Sequence, residues 1–296
     1  NPIGKSVDVL DNGLVRVVID PNGSVPVEDI DSEYFATGLN TFVDSGCAGD
    51  TWVHRSPERD KVITSKGCNA VISMVRNSYL EATAMIEVTL DIPVSLTQDR
   101  KVRRDETLAT KIVTEVTLRR GSRRVDFKTY FENRCKDHML IASFPTGITT
   151  EHSFSECPFE IRKRVIDDAT NNGGVRGDEL VHHAMRQFVD ISDGEDGLAL
   201  ITKGIHEFET LASDEEGTVV NLTLLRAVTQ TFPMHEDVFL SYDKEPSQCI
   251  GEHCFEYSVL VHRGDYKQGG VIKVSREYNL PMFATEYGKG KKGSEP

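Results

Sequence analysis

The chain has 296 residues, and its 47 acidic side chains outnumber 34 basic ones to give a formal net charge of −13. This charge argues against a nucleic acid or an anionic membrane as the partner, because both bind cationic protein surfaces. Hydrophobic residues at 38% and charged residues at 27% are typical of a folded globular protein and exclude a disordered chain. The apolar runs are far shorter than the ~20 residues that a membrane span needs.

The six cysteines stand at positions 47, 68, 135, 157, 249 and 254. They are scattered through a chain long enough to form a core without disulfides. The first residues, 1–4, lack the basic and apolar pattern of a signal peptide. Together these features predict reduced thiols and a cytoplasmic location.

Apolar and polar residues alternate with a period of two, first along residues 80–90. That alternation predicts a strand with one face packed and the other exposed to water. Residues 112–118 and 125–131 repeat the pattern on either side of the turn sequence RGSR at 120–123. Two such strands joined by a short turn predict a β-hairpin.

The same alternation returns at 188–191, 198–201, 205–209 and 255–261, and no stretch of 12 or more residues shows a 3.6-residue apolar stripe. Strands without intervening helices favour antiparallel pairing, because parallel pairs need long crossovers. The sequence therefore predicts an all-β protein, built as a large antiparallel β-sandwich.

We expect one β-sandwich domain over residues 1–287. Residues 164–180 are polar and rich in Gly, Asn and Asp, which predicts a long loop or a seam between two halves. Residues 288–296 are rich in Lys and Gly and are expected to form a frayed or linker tail.

Sequence motifs for metal binding and nucleophilic catalysis are absent: HExxH, CxxC and GxSxG do not occur. Cys249, His253 and Cys254 could form a zinc site in a loop, and a structural or surface role is the alternative. His182 and His183 are neighbours in a strand, so they point to opposite faces and rarely bind one ion. With 47 carboxylates, spacing alone selects no glycosidase pair. We therefore expect no catalytic residue and no metal ligand in this segment.

Residues 42–54, FVDSGCAGDTWVH, combine the only tryptophan with small residues, two aspartates and a histidine. An aromatic face stacks on the C–H bonds of a sugar ring, and carboxylates accept hydrogen bonds from its hydroxyls. The segment is therefore a candidate carbohydrate-binding site, with Asp44, Asp50, Trp52 and His54 as its contacts. The alternative is that Trp52 anchors the core at the end of a loop.

Two arginines, Arg226 and Arg263, each follow an apolar strand run. Either could belong to a binding site. A structural ion pair is the alternative.

Short segments along the chain match one known family in their order. They are DNGLVRV at 11–17, PNGS at 21–24, GDTW at 49–52, RRVDF at 123–127, ENR at 132–134, FVDISDG at 188–194, GLAL at 197–200, LTLLR at 222–226, GEH at 251–253 and YNLP at 278–281. In these segments the chain resembles glycoside hydrolase family 38, the zinc-dependent α-mannosidases, in the large β-sandwich that follows their catalytic domain. The similarity is greatest to the bacterial members, including relatives that cleave mannosylglycerate.

The resemblance implies a supersandwich akin to the galactose-mutarotase fold, which packs on the catalytic domain and lends loops to its active site. It also implies hydrolysis of α-mannosides with retention, by an Asp nucleophile and a zinc ion in the family's N-terminal domain. That domain has no counterpart in these residues, so zinc is expected outside this segment and no catalytic residue can be carried over. The stretch 50–52 matches family residues expected near the substrate.

We therefore expect the non-catalytic β-sandwich part of an α-mannosidase, inactive alone and serving mannose metabolism. Its partners would be an α-mannoside or another carbohydrate and the catalytic domain of the same enzyme, with self-association left open. One alternative is a stand-alone carbohydrate-binding module, which the Trp52 segment favours. Another is a mutarotase-like sugar epimerase, which rests on fold analogy.

Overall fold

The computed structural model describes residues 2–51, 54–166, 182–229, 246–280 and 282. In chain order the elements are β1 (Gly4–Ser6), β2 (Val9–Asp11), β3 (Val15–Val18), β4 (Val27–Asp29), β5 (Phe35–Ala36), β6 (Thr41–Gly46), β7 (Ile63–Thr64), a 3₁₀ turn (Ser65–Gly67), β8 (Val71–Asn77), β9 (Glu81–Pro93), β10 (Thr107–Arg119), β11 (Arg124–Asn133), β12 (His138–Pro145), β13 (His152–Glu156), β14 (Ile161–Val165), β15 (His182–Ala184), β16 (Phe188–Ser192), β17 (Asp196–Lys203), β18 (Glu207–Ser213), β19 (Gly217–Arg226), a 3₁₀ turn (Pro246–Gln248), β20 (Gly251–Arg263) and α1 (Val271–Asn279).

The described strands form three sheets in which neighbouring strands run antiparallel. One has five strands in the order β1-β2-β3-β4-β5, and one has six in the order β15-β18-β19-β12-β6-β7. The largest has nine strands in the order β14-β13-β16-β17-β20-β11-β10-β9-β8. The predicted all-β antiparallel sandwich is confirmed. No helix in the described part of the chain is long and apolar enough to cross a membrane.

The predicted hairpin is β10 and β11, which pair from Ile112 opposite Phe131 to Leu118 opposite Val125. Each strand buries every second residue, as the alternation requires. Gly121 has a φ of 71° in the connecting turn, a conformation that glycine adopts without steric cost. Local sequence therefore accounts for this part of the nine-stranded sheet.

An aromatic cluster joins the nine-stranded sheet to the six-stranded sheet. Phe127 on β11 and Tyr257 on β20 stack with ring centroids 5.5 Å apart. Phe144 on β12 meets both rings edge-on at 6.3 and 5.9 Å. The buried Tyr257 hydroxyl lies 2.6 Å from Asn40 Oδ1 and 2.7 Å from Thr129 Oγ1, so its polar atom is satisfied inside the core. The core of the sandwich therefore lies between these two sheets.

Helix α1 covers part of the outer face of the nine-stranded sheet. Its Val271 is fully buried in a small apolar cluster with residues of β16, β17 and β20. The helix has nine residues, which is below the length at which a 3.6-residue stripe stands out from the sequence.

Of the predicted seam at 164–180, only residues 164–166 are described, at the end of β14 and just beyond it. The remainder of the seam and the tail at 288–296 lie outside the described residues. The domain limits therefore stay predictions.

Candidate functional site

The candidate carbohydrate-binding segment continues from β6 into a loop. The strand is paired with β12 up to Gly46, which lies opposite His138. The Ala48 amide then donates to the Arg55 carbonyl at 2.7 Å and closes the loop on itself. We call residues 47–55 the β6 loop. It lies at one end of the six-stranded sheet.

Two arginines hold the backbone of the β6 loop. Arg100 donates through Nη2 to the carbonyls of Cys47 and Gly49, at 3.3 and 3.4 Å. Arg226, the last residue of β19, donates to the carbonyls of Asp50 at 3.0 Å and Thr51 at 2.9 Å. A guanidinium group presents its donors in a rigid fork. Four carbonyls within five consecutive residues are therefore fixed from two directions.

The carboxylate of Asp137 anchors Arg100 in turn. Its Oδ1 accepts from Arg100 Nη1 at 3.2 Å and from Gln248 Nε2 at 3.2 Å. The same oxygen accepts from the Thr229 amide at 2.8 Å and the Thr229 hydroxyl at 2.7 Å. Four segments that are distant in sequence, around residues 100, 137, 229 and 248, therefore meet behind the β6 loop.

Asp44, one of the four predicted contacts, points into the sandwich. Its carboxylate forms an ion pair with Arg103, and its second oxygen lies 2.6 Å from His138 Nδ1. His138 Nε2 lies 3.0 Å from Asn133 Oδ1, which completes a buried polar chain. Asp44 is 0% exposed, so this placement argues against a direct sugar contact and favours a supporting role beneath the loop.

Asp50 and His54, two further predicted contacts, lie in the β6 loop and are mostly buried. His54 Nδ1 lies 3.4 Å from the Cys47 thiol. Burial, together with the nearby His182 and Arg226, lowers the pKa of His54 to about 3. Burial raises the pKa of the Cys47 thiol to about 11.

Both members of the Cys47–His54 pair are therefore neutral near pH 7. A thiolate–imidazolium pair would require the opposite shift of the thiol pKa. The contact closes the loop and does not activate a nucleophile. Trp52, the fourth predicted contact, lies outside the described residues, so its stacking role stays a prediction.

The candidate zinc residues do not converge on one point. His253 Nε2 is 2.7 Å from the Cys249 carbonyl oxygen, and Cys254 lies opposite Tyr130 on the outer face of the nine-stranded sheet. Among the described residues, no group of three or more His, Cys, Asp or Glu side chains could hold a metal ion. All six cysteines have free thiols.

Sequence reasoning missed Arg100, Arg103 and Asp137. Arg100 and Arg103 lie in the charged stretch 98–106, which resembles an exposed surface loop, yet Arg103 is only 4% exposed. The signal that could have pointed to the two arginines was the group of three arginines at 100, 103 and 104 between two predicted strands. Their partners are far away in sequence, so no local pattern identifies the contacts.

The three antiparallel sheets and the polar loop at the sheet end define a large β-sandwich. The family model of the glycosyl hydrolases family 38 C-terminal domain matches residues 10–236, and the chain belongs to this family. The family membership expected from the sequence resemblance is confirmed.

Two curated relatives match almost the whole chain. A "Putative mannosylglycerate hydrolase" of Halalkalibacterium halodurans is 28% identical over 95% of this chain and 31% of the relative. "Alpha-mannosidase 2C1" of Mus musculus is 25% identical over 93% of this chain and 24% of the relative. The chain thus spans less than a third of the length of these relatives.

A solved structure of an alpha-mannosidase from Enterococcus faecalis V583 has the same fold. It superposes with a TM-score of 0.84 at 23% identity, over 95% of this chain and 32% of that chain. At this identity the likeness establishes the fold alone.

Proposed function

We propose that this sandwich serves α-mannoside hydrolysis as a non-catalytic part that forms one wall of the substrate pocket and packs on a separate catalytic domain. The observation that carries the proposal is the β6 loop, whose backbone Arg100 and Arg226 hold at four carbonyls. A surface that is rigid before the ligand arrives loses less entropy on binding. Membership of the family supplies the substrate class.

Asp50, Trp52 and His54 are the proposed sugar contacts, and Asp44 supports them from below. Neutral His54 can donate a hydrogen bond to a sugar hydroxyl or accept one from it, and a carboxylate such as Asp50 is a strong acceptor. Arg226 is a positioning residue, because it acts through the carbonyls of the loop.

Zinc, which the family implies, does not fit the described residues of this chain. The candidate set Cys249, His253 and Cys254 does not converge, and no alternative group of ligands forms there. We propose that the zinc of the enzyme is bound by the separate catalytic domain, and we assign it no step here.

The first experiment measures metal content and turnover of the purified chain. We expect substoichiometric zinc and no hydrolysis of p-nitrophenyl α-mannoside. Turnover that depends on a stoichiometric metal would overturn the non-catalytic assignment.

The second experiment measures binding of methyl α-mannoside by saturation-transfer difference NMR. We expect weak, saturable binding that Arg226→Met removes and that Arg226→Lys weakens, because lysine cannot donate to two carbonyls from one planar fork. The matched control is Arg162→Met on the exposed edge strand β14, which should bind like the parent. The absence of saturable binding, or full binding by folded Arg226→Met, would contradict the proposal that this sandwich forms a wall of the substrate pocket.

A further inference from the structure

A cluster of polar side chains lies beside the β6 loop, on the outer face of the six-stranded sheet. His182 on β15 pairs with Glu209 on β18, which pairs with Asn221 on β19. Their neighbours His183 and Phe208 meet on the opposite face, with ring centroids 5.7 Å apart, and Phe208 is fully buried there. His182, Glu209 and Asn221 therefore form one row across three strands and face away from the core.

Glu207 and Arg226 complete this outer-face cluster. Glu207 Oε1 is 3.8 Å from His182 Nδ1, and Glu207 Oε2 is 3.8 Å from Arg226 Nη2. On the other side of the ring, His182 Nε2 is 3.7 Å from Glu209 Oε2. All three separations exceed a normal hydrogen bond. The groups are close enough to interact by charge and too far apart to satisfy one another.

Among the described residues, three polar atoms of the cluster are buried and have no hydrogen-bond partner. They are His182 Nδ1, Glu207 Oε1 and Asn221 Oδ1, one on each of three adjacent strands. Asn221 Nδ2 already donates to Glu209 Oε1 at 2.9 Å, so its amide oxygen remains as an acceptor. Unsatisfied buried polar atoms are few in native proteins and each is costly. Glu207 Oε1 and Asn221 Oδ1 can only accept, so their missing partner is a hydrogen-bond donor, whereas His182 Nδ1 can donate or accept depending on its tautomer.

The outer-face cluster is continuous with the β6 loop. The His182 ring meets His54 edge-on, with centroids 5.5 Å apart. Arg226 touches the cluster through Glu207 and the loop through the carbonyls of Asp50 and Thr51. A ligand on the loop would extend over these carboxylates.

The charge of the cluster limits what such a ligand can carry. Glu207 and Glu209 are carboxylates, whereas the guanidinium of Arg226 already donates to two carbonyls of the loop. A ligand carboxylate would meet two carboxylates against one guanidinium, and therefore a net negative charge. Sugar hydroxyls donate to carboxylate and amide oxygens without this repulsion.

We propose that the outer-face cluster of His182, Glu207, Glu209, Asn221 and Arg226 is a subsite for a neutral, polyhydroxylated part of the glycan and that it rejects carboxylated aglycones. The inference rests on the proposed function and adds the substrate class to it. It places this chain among proteins that act on neutral mannosides, although one curated relative carries the name of a mannosylglycerate hydrolase.

The test compares two ligands on the purified chain by saturation-transfer difference NMR titration at low ionic strength. One is methyl α-1,2-mannobioside, which is neutral, and the other is α-mannosylglycerate, which carries a carboxylate. We expect the neutral ligand to bind about tenfold more tightly, as a net negative charge at a partly exposed site would produce. In the Glu207→Gln/Glu209→Gln variant the preference should fall below about threefold, because glutamine keeps the acceptor oxygen and removes the charge.

The matched control is Glu256→Gln on the outer face of the nine-stranded sheet, which should keep the parent preference. If the double variant does not fold by circular dichroism, Glu207→Gln alone serves, since the Glu207 side chain is 30% exposed.

The outcomes separate this inference from the proposed function. Equal binding of both ligands, with loss in Arg226→Met, retains the pocket wall and overturns the subsite. A preference for the neutral ligand that the Glu→Gln variants leave unchanged also overturns the subsite. This result is expected if the unpartnered polar atoms of the cluster accept hydrogen bonds from another polypeptide. Failure of both ligands to bind overturns the proposed function itself.

Discussion

Replacing Asp44 with asparagine should destabilise the sandwich far more than its small change in shape suggests. Asp44 and Arg103 form an ion pair with side chains 0% and 1% exposed, and His138 lies on the other carboxylate oxygen. The substitution leaves the Arg103 guanidinium buried without a counter-charge. Breaking one side of a buried pair typically costs about 3–5 kcal/mol. This is a large share of the ~5–15 kcal/mol by which native domains are stable.

The assay is urea unfolding of the parent and of Asp44→Asn, followed by circular dichroism with linear extrapolation. The control is Glu216→Gln, whose ion pair with Lys66 is 3.0 Å long, with side chains 39% and 58% exposed. An exposed pair contributes about 0–1 kcal/mol. Adding Arg103→Met to Asp44→Asn should recover part of the loss, because both charges are then gone. A loss below ~1 kcal/mol for Asp44→Asn would refute the reasoning.

Two further outcomes are expected. Because the pKa of His54 is lowered to about 3 in the folded state from 6.5, the unfolded state binds the proton first as the pH falls. Stability should therefore drop from pH 7 toward pH 3. Urea midpoints measured across this range should fall less in His54→Gln than in the parent, whereas the exposed control His206→Gln should fall as much as the parent. A Cβ on Gly197 would lie 2.1 Å from His262 Cε1, so Gly197→Ala should cost about 1–3 kcal/mol or more in thermal unfolding. Gly67→Ala, where nothing lies within 4 Å, should be nearly neutral, and equal melting temperatures for the two would contradict this account.

Much of the nine-stranded sheet could be predicted from local pattern. The hairpin of β10 and β11 has uninterrupted alternation and a glycine turn, so each residue's face follows from its neighbours. The N-terminal sheet is different. Its strands β1 to β5 have two to four residues each, which is too short for a period of two to be recognised.

For the candidate site the sequence selected a segment of the chain, and the orientation of its side chains did not follow from it. Phe42 and Asp44 are two residues apart in β6 and therefore lie on the same face of the sheet. The apolar Phe42 identifies that face as the inner one. An aspartate on that face could be recognised as buried only once its partners Arg103 and His138 were known. They lie 59 and 94 residues away in the chain.

The sequence by itself determined the class of fold and the family, because alternation with a period of two and short ordered motifs are local properties. Tertiary structure decided which polar residues meet. Arg100 and Arg226 hold the β6 loop, and the cluster of His182, Glu207 and Glu209 lies beside it. The physical reason is that hydrogen bonds and ion pairs act over a few ångströms in space, whereas these residues approach one another only when strands distant in the chain enter the same sheet.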